Sequence, residues 1–198
     1  MNEIRENKLK ELFSSLEKEE KIIIYAIGAL DNAPVRSKIK LQKLLFLVSN
    51  VFREYEDLLE FEPHLFGPYS EIVNDILEDL IKMELVEKYG SSYKLTPLGN
   101  DLYTRIQPTK ELESVIIDFK DFLNDLSENE LLSFIYVTYP NYIGESAKWN
   151  ELKKDRIRYA ISLLKKQKIS FSKASELAGL NSIEFDEQLK SRGIKWRV

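Results

Sequence analysis

The stretch Leu85–Tyr103, LVEKYGSSYKLTPLGNDLY, sets two short strand-like runs, Leu85–Tyr89 and Tyr93–Thr96, on either side of Gly90-Ser91-Ser92. That pattern predicts a β-hairpin. Thr96-Pro97 then opens a helix, since a proline in the first turn lacks only an N–H that would have no partner there. Upstream, Ile72, Val73, Ile76, Leu77, Leu80 and Ile81 recur at helical spacing. They predict a helix that opens at Tyr69 or Ser70 and ends near Met83–Leu85, with Glu71 suited to the dipole of its first turn. Phe61–Tyr69, with two prolines and a glycine, must be a shaped loop. Before it, Ser37 is a plausible N-cap for a helix whose apolar residues, Ile39 to Val51, are spread broadly enough to be buried on most sides. Lys18–Leu30 is a further helix, followed by the turn Asp31-Asn32-Ala33-Pro34. Three helices and then a hairpin is the order of a winged helix-turn-helix, here about Lys18 to Arg105.

Beyond Gln107-Pro108-Thr109 the pattern changes. Leu112, Val115, Ile116, Phe119, Phe122 and Leu123 mark a bracing or dimerising helix, and Ser127 with Glu130 is a capping-box pattern for another, which Pro140 stops. Residues 141–150 read as a packed loop. Leu152–Lys168 reads as one basic amphipathic helix. Ser172–Ala178 is a short helix, Gly179 suits the left-handed residue that ends it, and Asn181 or Ser182 caps a second from Ile183 to Lys190. The fold class expected is mainly α: a winged helix-turn-helix domain with a short β-hairpin over 1–106, a helical linker or bracing segment over 107–150, and a basic C-terminal helix-turn-helix over 151–198.

Charge points to the last segment. The formal net charge is −4, yet residues 151–198 carry 12 Lys and Arg against 6 Asp and Glu. A local positive field is what attracts a phosphate backbone, whatever the sign of the whole chain. Lys153, Lys154, Arg156, Arg158, Lys165, Lys166 and Lys173 are therefore the candidate DNA phosphate contacts. On the second short helix Asn181, Gln188 and Lys190 are the attractive base readers, with Ser182, Glu184 and Glu187 also placed to face a groove. Glu184, Asp186 and Glu187 would repel phosphates. On the hairpin, Lys88, Ser91, Ser92 and Lys94 are the candidate wing contacts. Glu71, Asp75, Glu78 and Asp79 crowd the polar face of the preceding helix and favour a protein partner there. The tail alternates Ile194, Trp196 and Val198 with Lys195 and Arg197, a pattern equally suited to a pairing strand or a loose end.

Much chemistry is excluded. The chain has no cysteine, and its single histidine, His64, reads as a packing or hydrogen-bonding residue. No catalytic residues, metal site or cofactor are expected, and nothing marks out Glu71 or Asp75 as half of a hydrolytic metal pair. The charged N-terminus and the short apolar runs imply a cytoplasmic protein with no membrane partner. Double-stranded DNA, a toxin or other partner protein, and a second copy of the chain are the expected partners.

Two segments resemble known families. The run ISLLKKQKISFSKASELAGLNSIEFDEQLKSRGI resembles a small uncharacterised, antitoxin-like helix-turn-helix family (UPF0175-like), with Gln167 where a glycine is usual and Ser175 where alanine is common. KIKLQKLLFLVSN followed by FEPHLFGPYSEIVNDILEDLIKMELVEK resembles the Panacea-like, SocA-related antitoxin domains and their archaeal relatives, chiefly through Gln42, Lys43 and Phe66–Ser70. Here Glu84 stands where a glycine commonly precedes the Leu-Val pair. The resemblances imply a DNA-binding, antitoxin-like regulator; the alternative is a module that binds or neutralises a partner protein without touching DNA.

Overall fold

The computed structural model describes residues 2–196. The chain forms two compact units, one built from residues up to 62 together with 68–124, the other from 63–67 together with those from 125 onward. The segment 107–150 is thus shared between them. The fold is mainly helical with one two-stranded antiparallel hairpin. Among the described residues no helix is long and apolar enough to cross a membrane.

The first unit comprises α1 (Asn2–Ser15), α2 (Lys18–Asn32), α3 (Lys38–Val51), a 3-10 turn (Arg53–Tyr55), α4 (Glu56–Leu59), α5 (Glu71–Lys82), β1 (Val86–Tyr89), β2 (Ser92–Leu95), α6 (Pro97–Tyr103) and α7 (Lys110–Asn124). Its core is α2, α3, α5 and α7 closing on one another: Ile22–Ala29, Leu41–Val48, Val73, Leu77, Leu80, Leu112, Ile116 and Leu123 are buried. Local signals set the boundaries. The Ser37 and Ser70 hydroxyls accept the N–H groups of Lys40 and Val73, and Thr96 accepts that of Gly99 with Pro97 in the first turn. The hairpin pairs Val86 with Leu95 and Tyr89 with Ser92, leaving Gly90 and Ser91 as a two-residue turn.

Two features required tertiary structure. Helical geometry fails at Ala29, and Leu30, Asp31 and Asn32 take positive φ. The buried Lys120 ammonium of α7 donates to the carbonyls of Ile27 (2.5 Å) and Ala29 (2.6 Å), where the helical geometry is interrupted. The Asn32 amide meanwhile exchanges two hydrogen bonds with the backbone of Leu95. The second feature is the loop before α5. Glu62 and Tyr69 pair as a bridge that closes it, Gln42 exchanges two 2.9 Å hydrogen bonds with the backbone of Ser70, and buried Lys43 donates to the Pro68 carbonyl. The Gln42-Lys43 pair therefore holds the Gly67–Ser70 bend in place.

The second unit comprises α8 (Glu128–Thr138), a 3-10 turn (Pro140–Tyr142), α9 (Trp149–Leu152), a 3-10 turn (Lys153–Asp155), α10 (Arg156–Lys165), α11 (Phe171–Ala178) and α12 (Ser182–Ser191). Residues 63–67 join it, and the Leu65 carbonyl accepts the Ala147 N–H at 3.1 Å. Its core is Leu131, Leu132, Ile135, Tyr136, Leu152, Ala160, Leu163, Leu164, Ala174, Leu177, Phe185 and Leu189. The expected single helix Leu152–Lys168 is broken. Leu152 is buried while Lys153 and Lys154 stay in solvent, and Asp155, at φ −106 and ψ 12, interrupts the helix before α10 begins. At the tail, Ile194, Lys195 and Trp196 form no strand, and Arg197 and Val198 lie outside the described residues.

Candidate nucleic-acid interface

In the second unit α11 and α12 are joined by Gly179, Leu180 and Asn181 in a helix-turn-helix. Gly179 sits at φ 73, and the Leu180 N–H reaches back to the Ser175 carbonyl, closing α11 as a left-handed C-cap. A Cβ on Gly179 would lie 2.8 Å from the Arg156 guanidinium. That side chain donates to the carbonyls of Leu177 (2.7 Å) and Glu176 (2.9 Å) and lies over the Trp149 ring, so Arg156 fastens the turn instead of facing solvent. Ala174 and Ala178, both buried, keep α11 close to its neighbours, and the rings of Phe171 and Phe185 tilt together at 5.5 Å to join α11 to α12.

The expected base readers are all engaged locally. Asn181 is the N-cap of α12: its side-chain oxygen accepts the N–H groups of Ile183 and Glu184, while the Glu184 carboxylate returns to the Asn181 N–H at 2.9 Å. Gln188 Oε1 is held by Arg192, and Lys190 pairs with Asp186 at 2.5 Å. These contacts also change the charge arithmetic. Glu184 is tied into the cap and Asp186 is paired with Lys190, while Glu187 acts on the same Lys190 through space and makes no salt bridge among the described residues. The solvent face of α12 presents Ser182, Ile183, Glu187 and Lys190, with Ile183 74% exposed.

The seven candidate phosphate contacts do not form one surface. Lys166 turns inward onto Glu130 (2.8 Å), whose side chain is only 7% exposed, and onto the Asp125 carbonyl. Burial alone would raise the Glu130 carboxyl, but hydrogen bonds from Lys166, Ser162 and Ser127 outweigh it and hold the group down to about 2. Lys166 cannot leave for a phosphate without stranding that buried charge. Lys173 bonds both Glu176 oxygens and lies against the Phe134 ring. With Arg156 committed to the turn, Lys153, Lys154, Arg158 and Lys165 remain. Arg158 pairs with Asp155, but both are well exposed, and such an i,i+3 pair exchanges readily for an external anion. Lys153, Lys154 and Lys165 are exposed with no carboxylate partner among the described residues. Arg158 and Lys165 are seven residues apart on α10, nearly two turns, and so share one face.

In the first unit the wing candidates also divide. The Ser91 and Ser92 hydroxyls donate to the Arg36 carbonyl, Lys94 pairs with Glu87 at 3.0 Å, and Lys88 is exposed. On α5 Glu71, Asp75, Glu78 and Asp79 all stand in solvent, with Lys38 reaching Glu78 and Lys82 reaching Asp79. Sequence reasoning missed Glu130 and Asp125 as the partners that withdraw Lys166 and Lys168. The capping-box pattern at Ser127 had marked Glu130, though only as a local cap. Among the described residues no group of three or more His, Cys, Asp or Glu is arranged to hold a metal ion.

No curated protein matches the chain. The model of an uncharacterised protein family, UPF0175, matches residues 133–198, the last third of the chain, which takes in most of α8 and the whole of α10, α11 and α12.

Proposed function

We propose that the protein is a DNA-binding transcriptional regulator of antitoxin type, acting in the cytoplasm and without enzymatic activity, and that its C-terminal unit makes the DNA contact. The observation that carries this reading is the helix-turn-helix of α11 and α12 beside the exposed cations of the α10 region. α12 is long enough to enter a major groove about 12 Å wide, and the carboxylates on it are tied into the cap (Glu184), paired with Lys190 (Asp186) or close enough to act on Lys190 (Glu187). Lys153, Lys154, Arg158 and Lys165 supply the phosphate attraction. The match to the C-terminal family model supports the same unit as the functional one.

A salt titration tests this. Replacing Lys154→Glu and Lys165→Glu in the full chain should weaken binding to a DNA duplex and make log K less steep against log salt by about 2, since each lost phosphate contact removes about 0.9. Unchanged affinity and slope would overturn the assignment. A second reading is favoured by the acidic face of α5: a module that binds or neutralises a basic partner protein. Its signature is a stoichiometric complex with a basic protein that survives the Lys154/Lys165 changes but is lost on Asp75→Lys, with no DNA retained.

A further inference from the structure

Phe185 and Leu189, both fully buried, fix which side of α12 faces the core. At about 100° per residue, Ile183 is turned about 160° from Phe185 and about 120° from Leu189 around the helix axis. Ile183, Glu187 and Lys190, spaced by four and three residues, therefore share the opposite face, and all three are exposed. Ile183 leads that face, in the first turn of the helix.

Nothing local accounts for an isoleucine at that point. At 74% it is the most exposed large apolar side chain among the described residues. Its N–H is satisfied by the Asn181 side chain at 3.0 Å, and the cap is completed by Glu184, so the Ile183 side chain takes no part in starting the helix. A β-branched residue loses side-chain freedom in a helix, and an apolar group in the first turn gains nothing from the dipole. The join between α11 and α12 is made without it, through the Phe171 and Phe185 rings.

The polar neighbours, by contrast, are occupied. Asn181 and Glu184 cap one another, Gln188 Oε1 is held by Arg192, and Lys190 pairs with Asp186. The leading end of α12 thus offers an apolar surface where hydrogen-bonding base readers are expected. In the major groove the apolar feature that distinguishes one base pair from another is the C5-methyl of thymine, and the N-terminal residues of a recognition helix are those that reach base edges. We infer that Ile183 is a specificity-determining residue that packs against the C5-methyl group of a thymine. This rests on the DNA-binding reading of α12 above and adds the base that the helix selects. The contact carries no charge, so it sets sequence preference while the salt dependence stays with the cations of the α10 region.

The test uses the full chain and a pool of DNA duplexes with a randomised central segment. Duplexes retained at low salt are sequenced, and each thymine of the preferred duplex is replaced singly by deoxyuridine, which removes only the C5-methyl. Fluorescence anisotropy should reveal a position where that replacement weakens binding about fourfold, the worth of burying one methyl group. Ile183→Ala should bind the thymine duplex severalfold more weakly than the parent, with an unchanged salt slope, and should no longer distinguish the two bases at that position. Because the side chain is exposed and alanine is the better helix former, thermal unfolding of the variant should be no lower than that of the parent. The inference is overturned if the parent binds every deoxyuridine duplex as it binds the thymine one, if it retains duplexes without enriching any sequence, or if Ile183→Ala discriminates as the parent does. In each of those cases weaker binding by Lys154→Glu/Lys165→Glu keeps the DNA-binding reading. A parent that retains no duplex even at low salt overturns both.

Discussion

Removing the carboxylate of Glu130 should destabilise the C-terminal unit by about 3 kcal/mol at pH 7. The group accepts from the Ser127 N–H at 2.7 Å, from the Ser162 hydroxyl and from Lys166, while its side chain is 7% exposed. Its carboxyl is held at about 2 against an ordinary 4.5, and at 1.36 kcal/mol per pH unit that gap is worth about 3 kcal/mol. Breaking a buried pair by deleting one partner costs a similar amount, about 3–5 kcal/mol. The sign follows from linkage: a carboxyl depressed in the folded state contributes fully above 4.5, and that contribution is lost as pH falls from 4.5 towards 2. Both tryptophans, Trp149 and Trp196, lie in the second unit, so urea unfolding followed by tryptophan fluorescence reports on this unit selectively. Glu130→Ala should shift that transition at pH 7 by the full amount, and its penalty should shrink to about half at pH 3. Glu130→Gln, which keeps a capping side chain but not the charge, should cost about 2 kcal/mol. A loss below about 1 kcal/mol for the alanine variant, or a penalty as large at pH 3 as at pH 7, would refute the account and return Lys166 to the phosphate-binding set.

Lys120 gives a pH dependence of the same sign, in a higher pH window, in the first unit. Burial pushes its ammonium down to about 7 from 10.5, so folding releases a proton between those values and stability should rise as pH climbs from about 7 to 10.5. Thermal unfolding by circular dichroism at pH 7 and pH 9 should show that rise, about 2 kcal/mol, in the parent but not in Lys120→Met; parallel curves for the two would exclude it. Glu84 and Gln167 both sit at φ 58, left-handed backbone that disfavours a side chain, so Glu84→Gly and Gln167→Gly should each stabilise by about 0.5–1 kcal/mol in urea titrations. Destabilisation by either change would show that its side chain contributes more than the strain costs.

Those two positions show what the sequence made legible. Each is where a resemblance expects glycine, and each terminates a helix through a bond from the following N–H to a carbonyl five residues back, Leu85 to Leu80 and Lys168 to Leu163. The backbone keeps the glycine conformation although the residue has changed. Caps at Ser37, Ser70, Ser127 and Asn181 were readable for the same reason, because donor and acceptor lie within three residues. What could not be read is long-range pairing. Lys166 and Lys165 are adjacent, exposed-looking lysines on a basic helix, and only the packing of α8 against α10 decides that one meets Glu130 and the other water. Arg156 and Arg36 depend likewise on partners 20 and 55 residues away, and neither spacing leaves a periodic trace. The break at Asp155 was hidden because Leu152 and Ile157 continue the apolar pattern across it.

The reciprocal cap between Asn181 and Glu184 has a thermodynamic corollary. The first turn of α12 is already ordered in the free protein, so a partner that docks there need not fold it. Calorimetry of complex formation should therefore show a heat-capacity change no larger than rigid-body burial of the contact area gives, and Glu184→Ala, which removes one half of the reciprocal cap, should add an ordering penalty to association.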